Sequence, residues 1–228
     1  MREWPRTPEA LEAEQIDLAA RSPALWGPGR EPVRAGGVFV CFERGGTGAG
    51  ACGDPGWAAA VVLQQKRLLS KSVVTGVAGA PYQPGYLALR EGPLMLAAVR
   101  ALEVLPDVLL VNASGRDHPR RAGLALHLGA ILDRPTVGVT WRPLCASGPW
   151  PDDAAWSWTD LTIGTEVVAA WVRVRPGVHP IVVHPGWRTD LETAMQVIRL
   201  AAGRAVTPEP IRQARRLART ARNARCSE

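Results

Sequence analysis

The only two tyrosines of the chain lie close together in a proline-rich segment, Pro81-Tyr82-Gln83-Pro84-Gly85-Tyr86. Two prolines stiffen this segment and Gly85 permits a sharp turn, so the sequence predicts a rigid loop that presents an aromatic ring. Such a ring can stack on an unpaired base or fill the space that a displaced base leaves. A tyrosine in a proline-rich turn can equally be a staple that holds the loop to the fold.

Polar side chains with catalytic or binding potential follow at two further places. Glu91, in Arg90-Glu91-Gly92-Pro93, comes just before a predicted helix start, where a carboxylate is held ionised by the helix dipole or serves only as a cap. Asn112 ends an apolar run, and the loop behind it leads to His118-Pro119-Arg120-Arg121. Loops at strand ends are where α/β sheets usually bind ligands, although such residues also form ordinary turns.

The hydrophobic pattern predicts a sheet that would position these residues. Three strand-like runs separated by glycine-bearing turns indicate an antiparallel meander: Val38–Phe42, Trp57–Leu63 and Leu68–Val74. The later predicted elements are helix Leu87–Leu102 (if it begins near Pro93), strand Asp107–Asn112, helix Ala122–Leu132, strands Thr136–Thr140, Glu166–Val174 and Pro180–Val183, and helix Leu191–Ala202. This alternation predicts one α/β domain over residues 1–228, a mixed sheet flanked by helices.

Helices are also predicted at both ends of the chain. Thr7-Pro8-Glu9 is typical of a helix start with Thr7 as the N-cap, which gives a peripheral helix over residues 7–21. A second helix over residues 208–225 has apolar residues on one face and arginines on another: Arg212, Arg215, Arg216, Arg219 and Arg222. This basic helix either docks on the domain with its arginines in solvent or contacts nucleic acid.

Composition excludes several classes of protein. Of 228 residues, 46% are hydrophobic and 21% charged, which is typical of a globular protein and not of a disordered or fibrous one. The net charge of +6 is concentrated after residue 203, where seven arginines accompany two glutamates. The 4 cysteines form no C-x-x-C pair, so we expect reduced thiols. The absence of an apolar leader and of any run of about 18 apolar residues predicts a cytoplasmic protein without a membrane span.

Seven stretches together resemble the endonuclease V family, deoxyinosine-directed nucleases with a ribonuclease H-like fold. Each motif is weak alone, and the specificity lies in their combination and order over residues 7–215. The matching stretches are Pro81–Gly85, Leu89–Pro93, Pro106–Val108, Gly115 with His118–Arg120, Pro135–Val139, Pro185-Gly186 and Pro208–Pro210.

The resemblance implies a metal-dependent nuclease that cleaves a phosphodiester 3′ of an inosine-type base. It places Tyr82 in the wedge that separates strands beside a flipped base, and Gly115 and His118 in the loop that lines the base pocket. Gly85 and Arg120 belong to the same base-binding set. The implied partner is DNA or RNA with an inosine or an unpaired base, and the implied cofactor is Mg²⁺ or Mn²⁺, which activates water in a group of carboxylates.

The metal site is where this chain departs from the family. Glu91 matches the catalytic glutamate, but a family aspartate on the first strand corresponds to Phe39, and a second aspartate corresponds to Asn112. A family lysine corresponds to Trp141, and a family histidine after Pro-Gly corresponds to Trp187. The predicted catalytic and metal residues are therefore reduced to Glu91 and Asn112, and an amide oxygen is a weaker ligand than a carboxylate.

Other residues near these positions could rebuild a site. Glu43 lies about 13 Å along the strand from Phe39, too far to replace it as a ligand. Asp117 and His184 fall in turns, where such residues more often cap a turn or satisfy a hydrogen bond. Arg142 follows the lost lysine by one position and is expected to face the opposite side of its strand.

Three functions remain open from the sequence. If Phe39, Trp141 and Trp187 point into the former metal pocket, an apolar environment would disfavour an ionised Glu91. The favoured expectation is an endonuclease V-like protein that binds inosine-containing or unpaired nucleic acid, with hydrolysis weak or lost. One alternative is an active Mg²⁺-dependent endonuclease whose site is rebuilt around Glu91, Asn112 and a nearby acid. Another is a domain that keeps the fold for protein contacts and binds no nucleic acid.

Overall fold

The structure is a computed structural model that describes residues 3–43 and 49–225. Within these ranges there are five helices: α1 Pro8–Ala19, α2 Leu87–Arg100, α3 Leu124–Leu132, α4 Leu191–Leu200 and α5 Glu209–Arg225. The strands are β1 Arg34–Phe42, β2 Pro55–Gln64, β3 Arg67–Val77, β4 Val108–Val111, β5 Thr136–Thr140, β6 Ser157–Ile163, β7 Glu166–Arg173 and β8 Ile181–Pro185. Every predicted helix and strand is present, and β6 is the strand that the sequence analysis did not predict.

The strands form one mixed sheet in the order β3-β2-β1-β4-β5-β8-β7-β6. The predicted meander is confirmed, because β1, β2 and β3 pair antiparallel. At the centre, β1, β4 and β5 run parallel, so their carboxyl ends meet at one edge of the sheet. The predicted mixed α/β sheet flanked by helices is therefore confirmed, and ligands of such sheets bind at that edge.

Helix α2 begins at Leu87, so Pro93 lies inside it and the predicted start near Pro93 is wrong. Proline removes the amide that would bond to the Leu89 carbonyl. Gly79 packs directly on that carbonyl, since a Cβ at this glycine would lie 2.3 Å from the oxygen. The Gly79 amide also donates to the Arg90 carbonyl at 3.3 Å. The turn after β3 thus supports the helix where proline interrupts its hydrogen bonds.

Alternate residues of β1 face different helices. Val38 and Val40 belong to the core beneath α2 and α3, whereas Phe39 belongs to a separate core beneath α5. Gly37 also lies on the α5 side, where a Cβ would come within 2.2 Å of the Pro210 backbone. The pleat of β1 therefore decides which of its side chains can reach α2.

The two terminal helices are placed as predicted. Thr7 caps α1, and its Oγ1 accepts a hydrogen bond from the Ala10 amide at 3.2 Å. Helix α5 buries Ile211, Ala214 and Ala218 against the sheet. The docking of the basic helix is confirmed, but the prediction that all of its arginines lie in solvent is wrong, because Arg222 is buried and Arg215 is half-buried. Contact of the helix with nucleic acid stays a prediction.

Two compositional predictions also bear on the structure. Cys41, Cys52 and Cys145 are reduced thiols, as expected, whereas Cys226 lies outside the described residues. Across residues 3–43 and 49–225, no helix combines the length and the apolar character needed to cross a membrane.

Candidate base-binding and metal site

The carboxyl ends of β4 and β5 open into a cavity of about 170 Å³. Four predicted site residues line it: Tyr82, Gly85, Asn112 and His118. The wall also has apolar residues (Leu87, Ala88, Ala113 and Leu124) and polar ones (Gln15, Ser114, Thr140 and Arg142). The volume is small beside the roughly 300–1,000 Å³ of drug-sized sites. It suits one ring system better than a whole nucleotide.

The loop of residues 81–86, called the tyrosine loop below, has the sharp turn that was predicted. Gly85 adopts a φ of +81°, which favours glycine. Tyr82 presents a ring that is 47% exposed beside the cavity. Tyr86, by contrast, is a staple, because its hydroxyl donates to the Glu12 carboxylate of α1. The staple interpretation therefore holds for Tyr86, while contact of Tyr82 with a base stays a prediction.

His118 is buried, and both of its ring nitrogens are hydrogen-bonded. Nδ1 accepts from the Arg120 amide at 3.2 Å, and Nε2 lies 3.1 Å from the Gly85 carbonyl. Because an amide only donates, Nδ1 carries no proton, and Nε2–H donates to Gly85. Burial lowers the pKa of His118 to about 4, so the ring is neutral at pH 7. His118 thus fixes the tyrosine loop and offers the cavity a ring rather than a free nitrogen.

Arg120 supports the same loop from behind the cavity. Its Nη2 donates to the Gly85 carbonyl at 2.8 Å, and its Nε donates to Gln15 at 2.7 Å. The guanidinium lies 4.7 Å from the centroid of the Tyr86 ring and 3.4 Å from a Glu12 oxygen. Arg120 is not part of the cavity wall. Its observed contacts are those of a loop support, and its direct contact with a base stays a prediction.

Gly115 also lies behind the cavity rather than in its wall. A Cβ at this position would sit 2.0 Å from the Pro185 carbonyl oxygen and 3.1 Å from the His184 Cβ. Its own carbonyl accepts from the Gly123 amide at 2.7 Å. Only glycine lets the loop between β4 and α3 lie this close to β8.

Asn112 is half-buried at the end of β4 and lines the cavity. Within the part of the chain that the structure describes, its side-chain amide makes no hydrogen bond to protein. An amide offers an acceptor and two donors side by side. Asn112 is therefore a free polar group suited to the edge of a bound base.

Glu91 lies in the second turn of α2, on the same helical face as Leu87 and Leu94. The predicted position before the helix start is wrong, so the capping and dipole explanations do not apply. Burial raises the pKa of Glu91 to about 8, and the neighbouring Arg90 offsets only part of that shift. No ion pair joins Glu91 to another of the described residues. Its carboxyl is thus largely protonated at pH 7.

The first strand offers Glu91 no partner. Arg34–Phe42 contains neither Asp nor Glu, and the residues that face α2 are Val38 and Val40. Phe39 faces α5, where two arginine guanidiniums lie 5.0 and 5.9 Å from its ring centroid. The expectation that Phe39 points into the metal pocket is therefore wrong, because the pleat turns it to the opposite face. The face of β1 beneath α2 is apolar nevertheless, because it carries Val38 and Val40.

The two tryptophans lie outside the cavity, so the condition under which they would make the former metal pocket apolar is not met. Trp141 is 44% exposed and contacts His179 edge-on, with ring centroids 6.1 Å apart. Trp187 is buried beside α3, and its amide donates to Thr136 Oγ1 at 2.8 Å. Thr136 begins β5, whereas the cavity residue Thr140 ends it, about 13 Å away at the usual rise per residue. Antiparallel pairing of β8 with β5 thus carries Trp187 to the far edge of the sheet.

Asp117 satisfies backbone hydrogen bonds, as predicted, whereas the predicted turn position of His184 is wrong, because His184 lies in strand β8. The buried Asp117 carboxylate accepts three backbone amides of residues 144–146, at 2.7 to 2.8 Å. His184 Nε2 lies 2.8 Å from Thr140 Oγ1, and burial lowers the pKa of His184 to about 4. Glu43 is exposed after β1. The described residues include no group of three His, Cys, Asp or Glu side chains that could hold a metal ion.

Comparison with known proteins identifies the family of this chain. A model of the endonuclease V family matches residues 45–216. The chain belongs to the endonuclease V family. An endonuclease V from Roseiflexus castenholzii is 41% identical over 198 residues, 83% of this chain and 88% of that protein. The crystal structure of endonuclease V from Streptomyces avermitilis is 34% identical, with a TM-score of 0.85, covering 98% of this chain and 96% of that one.

A more distant structure shares the fold. A Ciona intestinalis endonuclease V was crystallised with a 23mer DNA that contains an inosine followed by a ribo-adenosine. It is 23% identical to this chain, with a TM-score of 0.76, and the match covers 96% of this chain and 99% of that one.

The endonuclease V family is generally metal-dependent, but the residues of this chain do not fit a divalent cation. Mg²⁺ and Mn²⁺ need several anionic oxygens to offset the loss of hydration. The matching positions supply Glu91, which is largely protonated, and Asn112, which is uncharged. Since β1 adds no acid, the donor set lacks the charge that this cation requires.

Sequence reasoning missed the contribution of Arg142 to the cavity. Arg142, Pro143 and Leu144 all line it, although Arg142 was expected on the opposite side of the strand. Strand β5 ends at Thr140, so the alternation of side chains no longer applies at Arg142. Pro143 was the available signal, because proline ends strand pairing.

Proposed function

We propose that this endonuclease V family member binds nucleic acid carrying an unpaired, inosine-type base and hydrolyses the phosphodiester weakly or not at all. One contrast carries the proposal: a supported base-sized cavity lies at the carboxyl ends of β4 and β5, whereas Glu91, which is not part of its wall, has no acidic partner among the described residues. The cavity draws on elements from α1 to β5, and we treat residues 1–228 as a single domain.

Binding would begin with a base leaving its strand. The cavity admits one ring system, and its apolar wall at Leu87 and Leu124 provides contact area for a flat heterocycle. Tyr82, at the cavity edge, would fill the space that the displaced base leaves. The family's Ciona intestinalis member crystallised with inosine-containing DNA makes such DNA the natural first probe.

Asn112 is better suited to reading this base than to holding a cation. Hypoxanthine presents an N–H donor beside a carbonyl acceptor, and an asparagine amide can accept from the first and donate to the second. An ionised aspartate at this position could accept but not donate. Asparagine in place of the family's aspartate therefore removes a charged metal ligand and adds a donor and an acceptor that match those of hypoxanthine.

Hydrolysis needs charge that this site does not supply. Because burial raises the pKa of Glu91 to about 8, its carboxyl is mostly protonated at pH 7. A protonated carboxyl neither binds a cation strongly nor accepts a proton from water. The negative charge that develops on the phosphate would then have no counter-ion, so we expect a low rate or none.

The test measures binding and cleavage on the same samples. A labelled single strand with one inosine is titrated with the wild-type protein, Asn112→Ala and Glu91→Gln, with Mn²⁺ present and absent, at several salt concentrations. We expect saturable, salt-sensitive binding without strand cleavage. Asn112→Ala should weaken binding about tenfold, whereas Glu91→Gln should bind like the wild type. A strand with adenine in place of inosine is the matched control and should bind more weakly.

The other outcomes identify the alternatives. Mn²⁺-dependent cleavage that Glu91→Gln abolishes would establish an active endonuclease with a rebuilt metal site. Absence of salt-sensitive binding to any of these strands would instead favour a domain that serves protein contacts.

A further inference from the structure

Four aromatic rings form a cluster next to the cavity, called the aromatic platform below: Trp141, Trp150, Trp171 and His179. His179 is the centre, with its ring centroid 5.0 Å from Trp150, 5.9 Å from Trp171 and 6.1 Å from Trp141. Trp171 is buried on β7 and forms the floor. Trp141 and Trp150 stand above it, and Trp150 is 57% exposed. The family resemblance assigned none of these rings a binding role.

The rings are held in place before any ligand binds. The guanidinium of Arg173 lies 5.9 Å from the Trp150 ring centroid. Its Nε donates to the Asp152 carbonyl at 2.9 Å, and its Nη2 donates to the Pro151 carbonyl at 3.3 Å. Asp117 fixes the backbone of residues 144–146 in the same segment. A ring that is already ordered loses little conformational entropy when a planar partner stacks on it.

The aromatic platform is continuous with the cavity through residues 141–150. This segment begins at Trp141, lines the cavity with Arg142 and Leu144, and ends at Trp150. Arg142 is exposed, and no carboxylate among the described residues pairs with it. A strand leaving the cavity along this segment would meet a cation first and exposed rings next.

Acidic residues lie on the far side of the aromatic platform, where their negative charge disfavours phosphates and so favours contact with bases. Asp153 lies 3.4 Å from Arg173 and accepts from the Gly177 amide at 2.8 Å, so its charge is partly offset by protein groups. Asp152 lies in the same loop. Phosphates are therefore best placed at Arg142, and the uncharged faces of bases at the rings.

We propose that the aromatic platform stacks an unpaired base of the strand that flanks the base held in the cavity, with Arg142 contacting the phosphate between them. The inference rests on the proposed function and adds to it a second contact region for single-stranded nucleic acid. Stacking on an aromatic ring tolerates any base, so this region contributes affinity without reading sequence.

The test uses three single strands to distinguish binding at the aromatic platform from binding at the cavity. One carries inosine with about two nucleotides on either side, the second carries inosine with about ten, and the third has the longer length without inosine. Each is titrated against the wild type, the double variant Trp141→Ala with Trp150→Ala, and Trp158→Ala. Trp158 is a matched control, because it is 48% exposed on β6 and makes no ring contact with the platform.

We expect the double variant to lose about tenfold or more in affinity for both longer strands and little for the short one. Trp158→Ala should match the wild type with all three. Trp150→Phe keeps a ring and should retain most of the affinity for the longer strands, which distinguishes lost stacking from lost folding.

If the double variant and Trp158→Ala bound both longer strands with equal affinity, the proposal that the aromatic platform stacks a base would be wrong. A change from dimer to monomer in the double variant, measured by light scattering, would also contradict it, because it would show that the rings contact a second copy of the chain. Failure of the cavity proposal would give a different result. The two longer strands would bind with equal affinity and the short strand would not bind, while the double variant would still have a lower affinity than the wild type for the inosine-free strand.

Discussion

The tyrosine loop and the surroundings of Glu91 lie on the same side of the sheet but are stabilised in different ways. At the tyrosine loop, His118 and Arg120 both donate to the Gly85 carbonyl and leave the cavity open. Glu91 has a carboxyl with a raised pKa, and the strand residues that pack against its helix from β1 are valines. The shape of the tyrosine loop depends on contacts within the protein and needs no ion. Cation binding at Glu91 would instead need a cluster of charges. A few substitutions in a charge cluster can therefore remove acidic ligands while the contacts that hold the tyrosine loop are maintained.

The largest effect is expected from Gly115→Ala, which tests whether the supported region really depends on close packing. The new Cβ would lie 2.0 Å from the Pro185 carbonyl oxygen, which belongs to a central strand and cannot move cheaply. We expect the free energy of unfolding to fall by at least about 3 kcal/mol. Denaturant unfolding measures it, with Gly27→Ala as control, because a Cβ at Gly27 meets nothing within 4 Å. Equal stability of the two variants would contradict this packing.

A smaller effect is expected from Arg120→Ala, compared with its neighbour Arg121→Ala. Loss of Arg120 leaves the buried Gln15 oxygen without its donor and removes one of the two bonds to Gly85, which should cost about 2–3 kcal/mol. Arg121 pairs with Glu166 near the surface and donates to the His118 carbonyl at 3.2 Å, so its loss should cost less, about 1 kcal/mol. Similar unfolding free energies for the two variants would show that the tyrosine loop does not depend on Arg120.

Glu91→Gln tests the surroundings of Glu91 through the pH dependence of the free energy of unfolding. The pKa of Glu91 rises from 4.5 in the unfolded chain to about 8 in the folded one, so the folded state holds this proton more tightly. Stability from this group is complete below about pH 4.5 and is lost as the pH rises towards 8. We expect Glu91→Gln to be more stable than the wild type by about 1–2 kcal/mol at pH 9 and equal to it at pH 4. Thermal unfolding at both pH values measures this, and a destabilised variant at pH 9 would mean that Glu91 has a favourable charged partner.

The sequence was sufficient for the elements that depend on local pattern. Thr7 and Pro8 predicted the start of α1 correctly, and alternation with glycine-bearing turns predicted the meander of β1 to β3. The tyrosine loop was also predictable, because proline and glycine restrict the backbone wherever the loop lies in the fold. These features need no knowledge of what packs against them.

The faces of the elements were harder to predict. Matching Phe39 to a family aspartate gave a position along β1 but not the helix that this residue faces, which depends on the docking of α5. The place of Trp187 could not be predicted, because the pairing of β8 with β5 sets its distance from the cavity. Both positions depend on long-range packing, which local sequence does not encode. Arg142 is different, because the end of β5 changes the direction of the chain and Pro143 was a local signal of it.

The most direct test of the central claim is titration of the complex between the protein and an inosine strand with Mn²⁺, followed by the electron paramagnetic resonance signal of free Mn²⁺. We expect no saturable binding to the protein below about 1 mM, because the site lacks anionic oxygens, and Glu91→Gln should give the same curve. Tight, stoichiometric Mn²⁺ binding that Glu91→Gln abolishes would contradict the account.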